Sequence, residues 1–145
     1  MSNMQLDTLR RIVQEINASV SLHDSLDIMV NHVAEAMHVD VCSIYLLDER
    51  NKRYVLMASK GLKPEAVGHV SLNVGEGLVG LVGKREEIVN LDNAPKHERF
   101  AYLPETGEEL FNSFLGVPVM YRRKVMGVLV VQNQEPQDFS EAAES

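Results

Sequence analysis

Apolar residues near the start of the chain recur at alternating spacings of three and four. Most residues between them are charged or polar, and the apolar positions are Leu6, Leu9, Val13, Ile16 and Val20. This spacing predicts a helix from Leu6 to Val20 with a narrow apolar stripe, which is typical of helices that pair with one another. The sequence therefore predicts a homodimer formed through the N-terminal helices. Packing of this helix on its own domain, with Ile12 widening the stripe, is the alternative.

A second helix is predicted from Leu22 to Val39. Ser21 is a good N-cap for it, because a serine hydroxyl can accept a hydrogen bond from a free amide of the first helical turn. One face of this helix is apolar and carries Leu22, Leu26, Met29, Val30, Val33, Ala34 and Met37. No two of its histidines are four residues apart, so we expect no metal-binding pair among His23, His32 and His38.

Two segments with the composition of strands follow, Val41–Leu47 and Tyr54–Ser59, and they predict a hairpin. Because side chains alternate between the faces of a strand, Ser43 and Tyr45 share one face and Cys42 lies on the other. Hydroxyl groups among apolar neighbours are typical of the wall of a small-molecule pocket. The same hydroxyls could equally be hydrogen-bonded residues of a core.

The segment Ser113–Asn133 predicts a second hairpin. Two runs rich in Val, Leu and Phe flank the cationic turn Arg122-Arg123-Lys124. Because these runs are almost continuously apolar, both faces of this part of the sheet should be covered. Pro118 has no backbone N–H to donate, so we expect a local irregularity in its strand.

A glycine-rich segment, Gly75–Lys84, lies between the two hairpins. Its glycines have the spacing of a dinucleotide-binding loop, but no βαβ unit surrounds them, so we reject that interpretation. The segment instead predicts a tight turn and a short helix, Leu78–Val82, whose first amides could receive an anion or a carboxylate. After a short strand, Ile88–Leu91, the connection Asp92–Asn112 is long and contains aromatic residues, which is typical of a folded lid.

The totals indicate one domain of ordinary composition, with 145 residues, 45% of them hydrophobic, and a formal net charge of -7. This charge gives no electrostatic footprint for nucleic acid or an anionic membrane surface, so we expect neither as a partner. No apolar run approaches the roughly 18 residues that span a membrane, and we expect a cytoplasmic protein. The single cysteine, Cys42, supplies neither a disulfide nor a metal motif. We expect no metal, no cofactor and no catalytic residue.

These elements predict an α+β fold with a central antiparallel sheet of five or six strands. The two helices lie on one face, and the segment Gly75–Asn112 forms a ligand pocket and lid on the other. The C-terminal sequence QEPQDFSEAAES begins a helix that it does not continue. We therefore expect residues 1–145 to be a single domain of a longer protein.

The order and spacing of three segments resemble the GAF domain family. VCSIYLLDERNKRYVLMASKGL is similar to its first hairpin, NVGEGLVGLVGKREEIVNLDNAPKHERF to its glycine turn, pocket helix and lid, and FLGVPVMYRRKVMGVLVVQNQ to its closing hairpin. Within the family, VCSIYLLD, GLVGLVGK, KHERF, FLGVPV and GVLVVQNQ resemble the GAF domains of nitrogen-related phosphoenolpyruvate–protein phosphotransferases. The resemblance implies a domain that senses a small molecule or dimerises.

The resemblance also implies control of an attached phosphotransfer module, with glutamine or 2-oxoglutarate as the nitrogen-status ligand. The active histidine of such enzymes belongs to their later domains, and no histidine here lies in a matching motif. A structural dimerisation module with an empty pocket is the alternative. A GAF-type methionine sulfoxide reductase depends on several cysteines, so that activity is disfavoured in a chain whose single cysteine is Cys42. A remaining enzymatic hypothesis would use Asp92 and His97 as an acid–base pair.

The predicted ligand site combines four parts of the chain. Ser43, Tyr45 and Gln132 would fix a polar ligand, and the helix start at Gly77 and Leu78 would receive a carboxylate. Because Asp92 disfavours a strongly anionic ligand, a zwitterionic amino acid ranks above a dicarboxylate. The complete predicted wall comprises Ser43, Tyr45, Met57, Ser59, Leu78, Val79, Asp92, His97, Phe100, Val130 and Gln132.

Overall fold

The computed structural model describes residues 3–94 and 111–135, and at residues 3, 4 and 15–21 it describes the backbone alone. The strands within these ranges are β1 (Val41–Asp48), β2 (Arg53–Lys60), β3 (Ser71–Asn73), β4 (Val89–Leu91), β5 (Ser113–Tyr121) and β6 (Lys124–Asn133). They form one sheet in the order β3-β2-β1-β6-β5-β4, and every neighbouring pair is antiparallel. The predicted fold class is therefore confirmed, with β1 and β6 at the centre.

One continuous helix, α1 (Asn3–Met37), precedes the sheet. The prediction of two helices separated by a cap at Ser21 is therefore wrong. No glycine or proline occurs within α1, and a serine inside a helix costs only about 0.5 kcal/mol relative to alanine, so nothing interrupts it. The helix ends where His38 takes a left-handed conformation with φ of 54°. There the Val39 amide donates to the Ala34 carbonyl at 3.1 Å, a common way to satisfy the last carbonyl groups.

The second half of α1 covers one face of the sheet. Its buried residues Leu26, Val30 and Ala34 pack in a cluster with the strand residues Cys42, Ile44, Ala58, Leu115 and Val131. By contrast, every residue from 5 to 14 is exposed, so this part of α1 is not buried against the sheet. We call residues 5–14 the overhang. In the part of the chain that the structure describes, no helix is both long enough and apolar enough to cross a membrane.

A second, larger apolar cluster lies on the opposite face of the sheet. It includes the short helix α2 (Gly77–Arg85), which begins after the predicted glycine turn and contains the predicted segment Leu78–Val82. Gly75 and Gly77 adopt φ of 86° and 66°, a region that side chains rarely permit. A single 3-10 turn, Pro64–Ala66, adds the buried Ala66 to the same cluster. The described strands are all antiparallel, so α2 is not part of a dinucleotide-binding βαβ unit.

The predicted hairpin of β5 and β6 is confirmed. Arg122 and Arg123 form its two-residue turn with φ of 50° and 65°, the geometry that suits twisted hairpins. Pro118 keeps its place opposite Val128, and the irregularity lies just beyond it, between Val119 and Met120. Because β4 pairs only with residues 114–116, β5 is an edge strand at Pro118, where a missing donor is tolerated.

Candidate functional site

Two serine hydroxyls meet across the first hairpin. Ser43 of β1 lies directly opposite Ser59 of β2, and their oxygens are 2.9 Å apart. Ser43 is fully buried, in a strand whose neighbours on the same face, Val41 and Tyr45, belong to the large apolar cluster. In such a pair one hydroxyl donates to the other, which keeps its own hydrogen for a further acceptor. The pair can therefore serve both a donor and an acceptor on a ligand.

Gln132 supplies an amide on the same face of the sheet. The register places Gln132 opposite Val41 on one side and Phe114 on the other. This cross-strand pair is two residues along the strands from the pair of Ser43 and Val130. The side chain is 7% exposed. An amide offers both donors and an acceptor. This face therefore carries two kinds of neutral polar group, the serine hydroxyls and the Gln132 amide, among the apolar side chains of the large cluster.

Met57 does not join this site, contrary to the prediction. A β-bulge changes the register between Ile44 and Tyr45, so that Ile44 pairs with Ala58 and Tyr45 with Leu56. The extra residue is Met57, which packs against the cluster under α1. Strict alternation would have kept it on the face of Ser59, but an inserted residue interrupts that alternation.

The helix α2 packs on the same face of the sheet. A Cβ atom at Gly83 would overlap the hydroxyl of Tyr54, and one at Gly116 would lie 2.6 Å from Cγ2 of Val82. Tyr54 is the second residue of β2, and Ser59 lies five residues on, roughly 16 Å along the strand at the usual rise. At Tyr54 the end of α2 is therefore far from the serine pair along the strand. At Gly116 it instead contacts the cross-strand row that runs through Val130 to Ser43, two strands away from Ser43.

The start of α2 differs from the predicted carboxylate receptor. Leu78 and Val79, predicted as part of the pocket wall, are buried in the apolar cluster of this face. Glu76, just before the helix, accepts a hydrogen bond from the Asn73 amide at 3.1 Å through its carboxylate. A negative charge at a helix start already interacts favourably with the dipole, so it weakens the case for a second anion there.

The two ends of the predicted lid, Asp92–Asn112, meet at β5, the strand next to Gln132. Ala94 and Phe111, near its two ends, are both buried in the cluster of this face, and the Ala94 amide donates to the Asn112 carbonyl at 2.6 Å. Asn112 leads directly into β5, whose Phe114 pairs with Gln132. Of the predicted lid residues, Asp92 is exposed, while His97 and Phe100 lie outside the described residues.

The described part of the chain contains no group of three or more His, Cys, Asp or Glu side chains placed to hold a metal ion. Three buried polar side chains are found among the described residues, Ser43, Ser113 and Gln132, and none of them is charged. Every buried side-chain nitrogen or oxygen described has a hydrogen-bond partner. Ser43 and Gln132 thus form a neutral polar patch in the apolar face opposite α1, while Ser113 lies on the other face.

Cys42 lies on the α1 side of the sheet, and its burial raises the pKa of its thiol to about 12. The unfolded chain loses this proton above about pH 8.5. The unfolded state then binds fewer protons than the folded state, so the free energy of unfolding falls as the pH rises. We expect a fall of about 1.4 kcal/mol per pH unit between about pH 9 and 11 in urea denaturation. The slope should be smaller by about that amount in Cys42→Ala, and equal slopes would contradict the assignment.

The sequence profile of the GAF domain family matches residues 21–145. The chain belongs to the GAF domain family. This GAF domain is 81% identical to the GAF domain of an Acinetobacter phosphoenolpyruvate-protein phosphotransferase, with 99% of this chain and 85% of that structure covered and a TM-score of 0.77. A GAF domain of the corresponding enzyme of Coxiella burnetii is 43% identical, with 99% and 86% covered and a TM-score of 0.81.

Full-length relatives are much longer than this GAF domain. A protein of Escherichia coli K12 described as "Phosphoenolpyruvate-dependent phosphotransferase system" is 44% identical over 140 residues, which are 97% of this chain. The chain spans 19% of the length of that curated relative. The GAF domain thus corresponds to a minor part of such a protein.

Proposed function

We propose that this GAF domain is the regulatory domain of a phosphoenolpyruvate–protein phosphotransferase and that it binds a nitrogen-status metabolite. The observation that carries the proposal is the hydrogen-bonded pair of the buried Ser43 and the half-buried Ser59, on the sheet face that also buries Gln132. The ligand would control a phosphotransfer module attached elsewhere in the protein. We assign no reaction to this chain itself.

Glutamine suits the site better than 2-oxoglutarate. The buried polar side chains that the structure describes are neutral, so a dicarboxylate would be buried there without a cationic partner, which is costly. The side-chain amide of glutamine can instead exchange two hydrogen bonds with the amide of Gln132. The serine pair can then donate to its α-carboxylate and accept from its α-ammonium group. These two charges cancel, so glutamine brings no net charge into the site, whereas 2-oxoglutarate brings two negative charges.

A structural dimerisation module is the second candidate. It is favoured by the mutual hydrogen bond of Ser43 and Ser59, because a pair that satisfies itself needs no ligand. It is also favoured by the overhang, where Leu6, Leu9 and Val13 are exposed. We propose that the overhang pairs with that of a second copy, whether or not the sheet face binds a metabolite.

A thermal-shift screen with glutamine, 2-oxoglutarate and cyclic nucleotides separates these candidates. Glutamine at a hundred times its dissociation constant should stabilise the fold by roughly 2.7 kcal/mol. Ser43→Ala should weaken glutamine binding about tenfold, since one hydrogen bond to the site is lost. Ser71→Ala on β3 serves as the matched control, because it removes a hydroxyl that accepts a hydrogen bond from Arg53 of β2. This variant should bind glutamine normally. If no metabolite moves the melting temperature, the structural module is the better account.

A further inference from the structure

A network of hydrogen bonds closes the end of the sheet at which β1 begins and β6 ends. The backbone amide of Asp40 donates to Oδ1 of Asn133 at 2.7 Å. The carboxylate of Asp40 in turn accepts the amide of Gln134 at 3.0 Å. Asp40 follows the last turn of α1 by three residues. These reciprocal bonds therefore tie the end of α1 to the chain that leaves β6.

The same network reaches the two ends of the predicted lid. Nδ2 of Asn112 donates to the carbonyl of Gln134 at 2.8 Å, and the carbonyl of Asn112 accepts the Ala94 amide at 2.6 Å. Beside it, the buried hydroxyl of Ser113 lies 3.1 Å from the carbonyl oxygen of Asn133 and 3.0 Å from that of Glu135. Asn112 is thus hydrogen-bonded both to Ala94, near the start of the predicted lid, and to Gln134 after β6.

We infer that this network, which we call the latch (Asp40, Ala94, Asn112, Ser113, Asn133, Gln134 and Glu135), couples the candidate site to α1 and to the chain that follows β6. Gln132 of the site directly precedes Asn133 of the latch, so a ligand that moves Gln132 also shifts the latch. A ligand that moves Ala94 or Asn112, near the ends of the predicted lid, does the same. Asp40 and Gln134 are exposed, and exposed backbone hydrogen bonds open at low cost. Through the latch, ligand binding in the proposed sensor would change the contacts of α1 and of the chain after β6. Only the role of the ligand rests on the proposed function; the coupling within the latch does not.

The coupling can be tested without any ligand through hydrogen exchange of single amides by NMR. Asn112→Ala removes the bond to Gln134 and touches no atom that the Asp40 amide contacts. If the latch is one coupled unit, the Asp40 amide should exchange about fivefold faster, which corresponds to the loss of about 1 kcal/mol. The control is Asn51→Ala, since the side chain of Asn51 likewise donates a hydrogen bond, to Asp48 in the turn at the other end of the sheet. An unchanged rate at Asp40 in Asn112→Ala would overturn the inference.

Asn112→Asp provides a second variant of nearly the same shape, in case alanine disturbs the strand. It replaces the donor by a carboxylate facing the Gln134 carbonyl, so the same acceleration is expected. A glutamine titration of the wild type then separates the two proposals. Faster exchange at Asp40 in both variants without any glutamine response would support the latch and count against the sensor. A glutamine response with unchanged Asp40 exchange in both variants would support the sensor and refute the latch.

Discussion

Leu9→Glu combined with Val13→Glu should convert a dimer of this GAF domain into monomers, with a dissociation constant raised at least about 100-fold. Both side chains are about half exposed, at 50% and 47%, and both belong to the stripe with three-and-four spacing. In a pair of helices they would be buried, so that two carboxylates per chain would lose their water. A 100-fold change corresponds to about 2.7 kcal/mol, which is modest for two buried charges.

Arg11→Glu is the control for this variant, because it changes the net charge by the same amount from the opposite side of the helix. Light scattering between about one and one hundred micromolar should show a dimer for the wild type and for Arg11→Glu, and a monomer for the double variant. Circular dichroism and thermal melting should show a retained sheet domain in all three, since the overhang is not buried against it. A wild type that is monomeric throughout this range would refute the dimer.

Gly127→Ala should destabilise the domain by about 3 kcal/mol, at the upper end of the usual cost of overpacking. A Cβ atom at this position would overlap the carbonyl oxygen of Tyr45 and would lie 2.9 Å from Cδ2 of Leu46. Gly127 is on β6 opposite Leu46 of β1, in the central pair of the sheet. A backbone carbonyl cannot rotate away as the end of a side chain can, so β1 and β6 would have to separate.

Gly68→Ala makes the same chemical change where there is room for it. Gly68 has φ of 83°, and no atom lies within 4 Å of the added Cβ, so the expected cost is about 1 kcal/mol from the backbone conformation alone. Urea denaturation of both variants measures the difference. Equal losses of stability in the two variants would show that the contact with Tyr45 is not what limits position 127.

Local patterns in the sequence were sufficient for the strands and for the faces of β1. The alternation around Ser43 and Tyr45 placed both on the sheet face opposite α1, and the turn residues Arg122 and Arg123 marked the hairpin of β5 and β6. The glycines before α2 likewise located the start of that helix. These features depend on neighbours within a few residues, which a single sequence displays directly.

Features that depend on tertiary packing could not be read from those patterns. Ser21 resembles a helix cap, but a serine also fits a helix interior, and only the assembled fold shows a continuous α1. The bulge that turns Met57 towards α1 is a property of how β1 pairs with β2. The bonds of Asp40 to Asn133 and Gln134 join residues more than ninety positions apart. No local pattern in the sequence predicts such contacts.

The central claim, that the neutral polar patch of the sheet binds a metabolite, is tested most directly by an NMR titration with glutamine. If glutamine binds this patch, the backbone amide resonances of Ser43, Ser59 and Gln132 should shift together in a saturable way, and those of residues 5–14 in the overhang should not shift. Ser43→Ala should shift the midpoint of the titration to about tenfold higher glutamine. Saturable shifts confined to another surface, or no shift at millimolar glutamine, would contradict the claim.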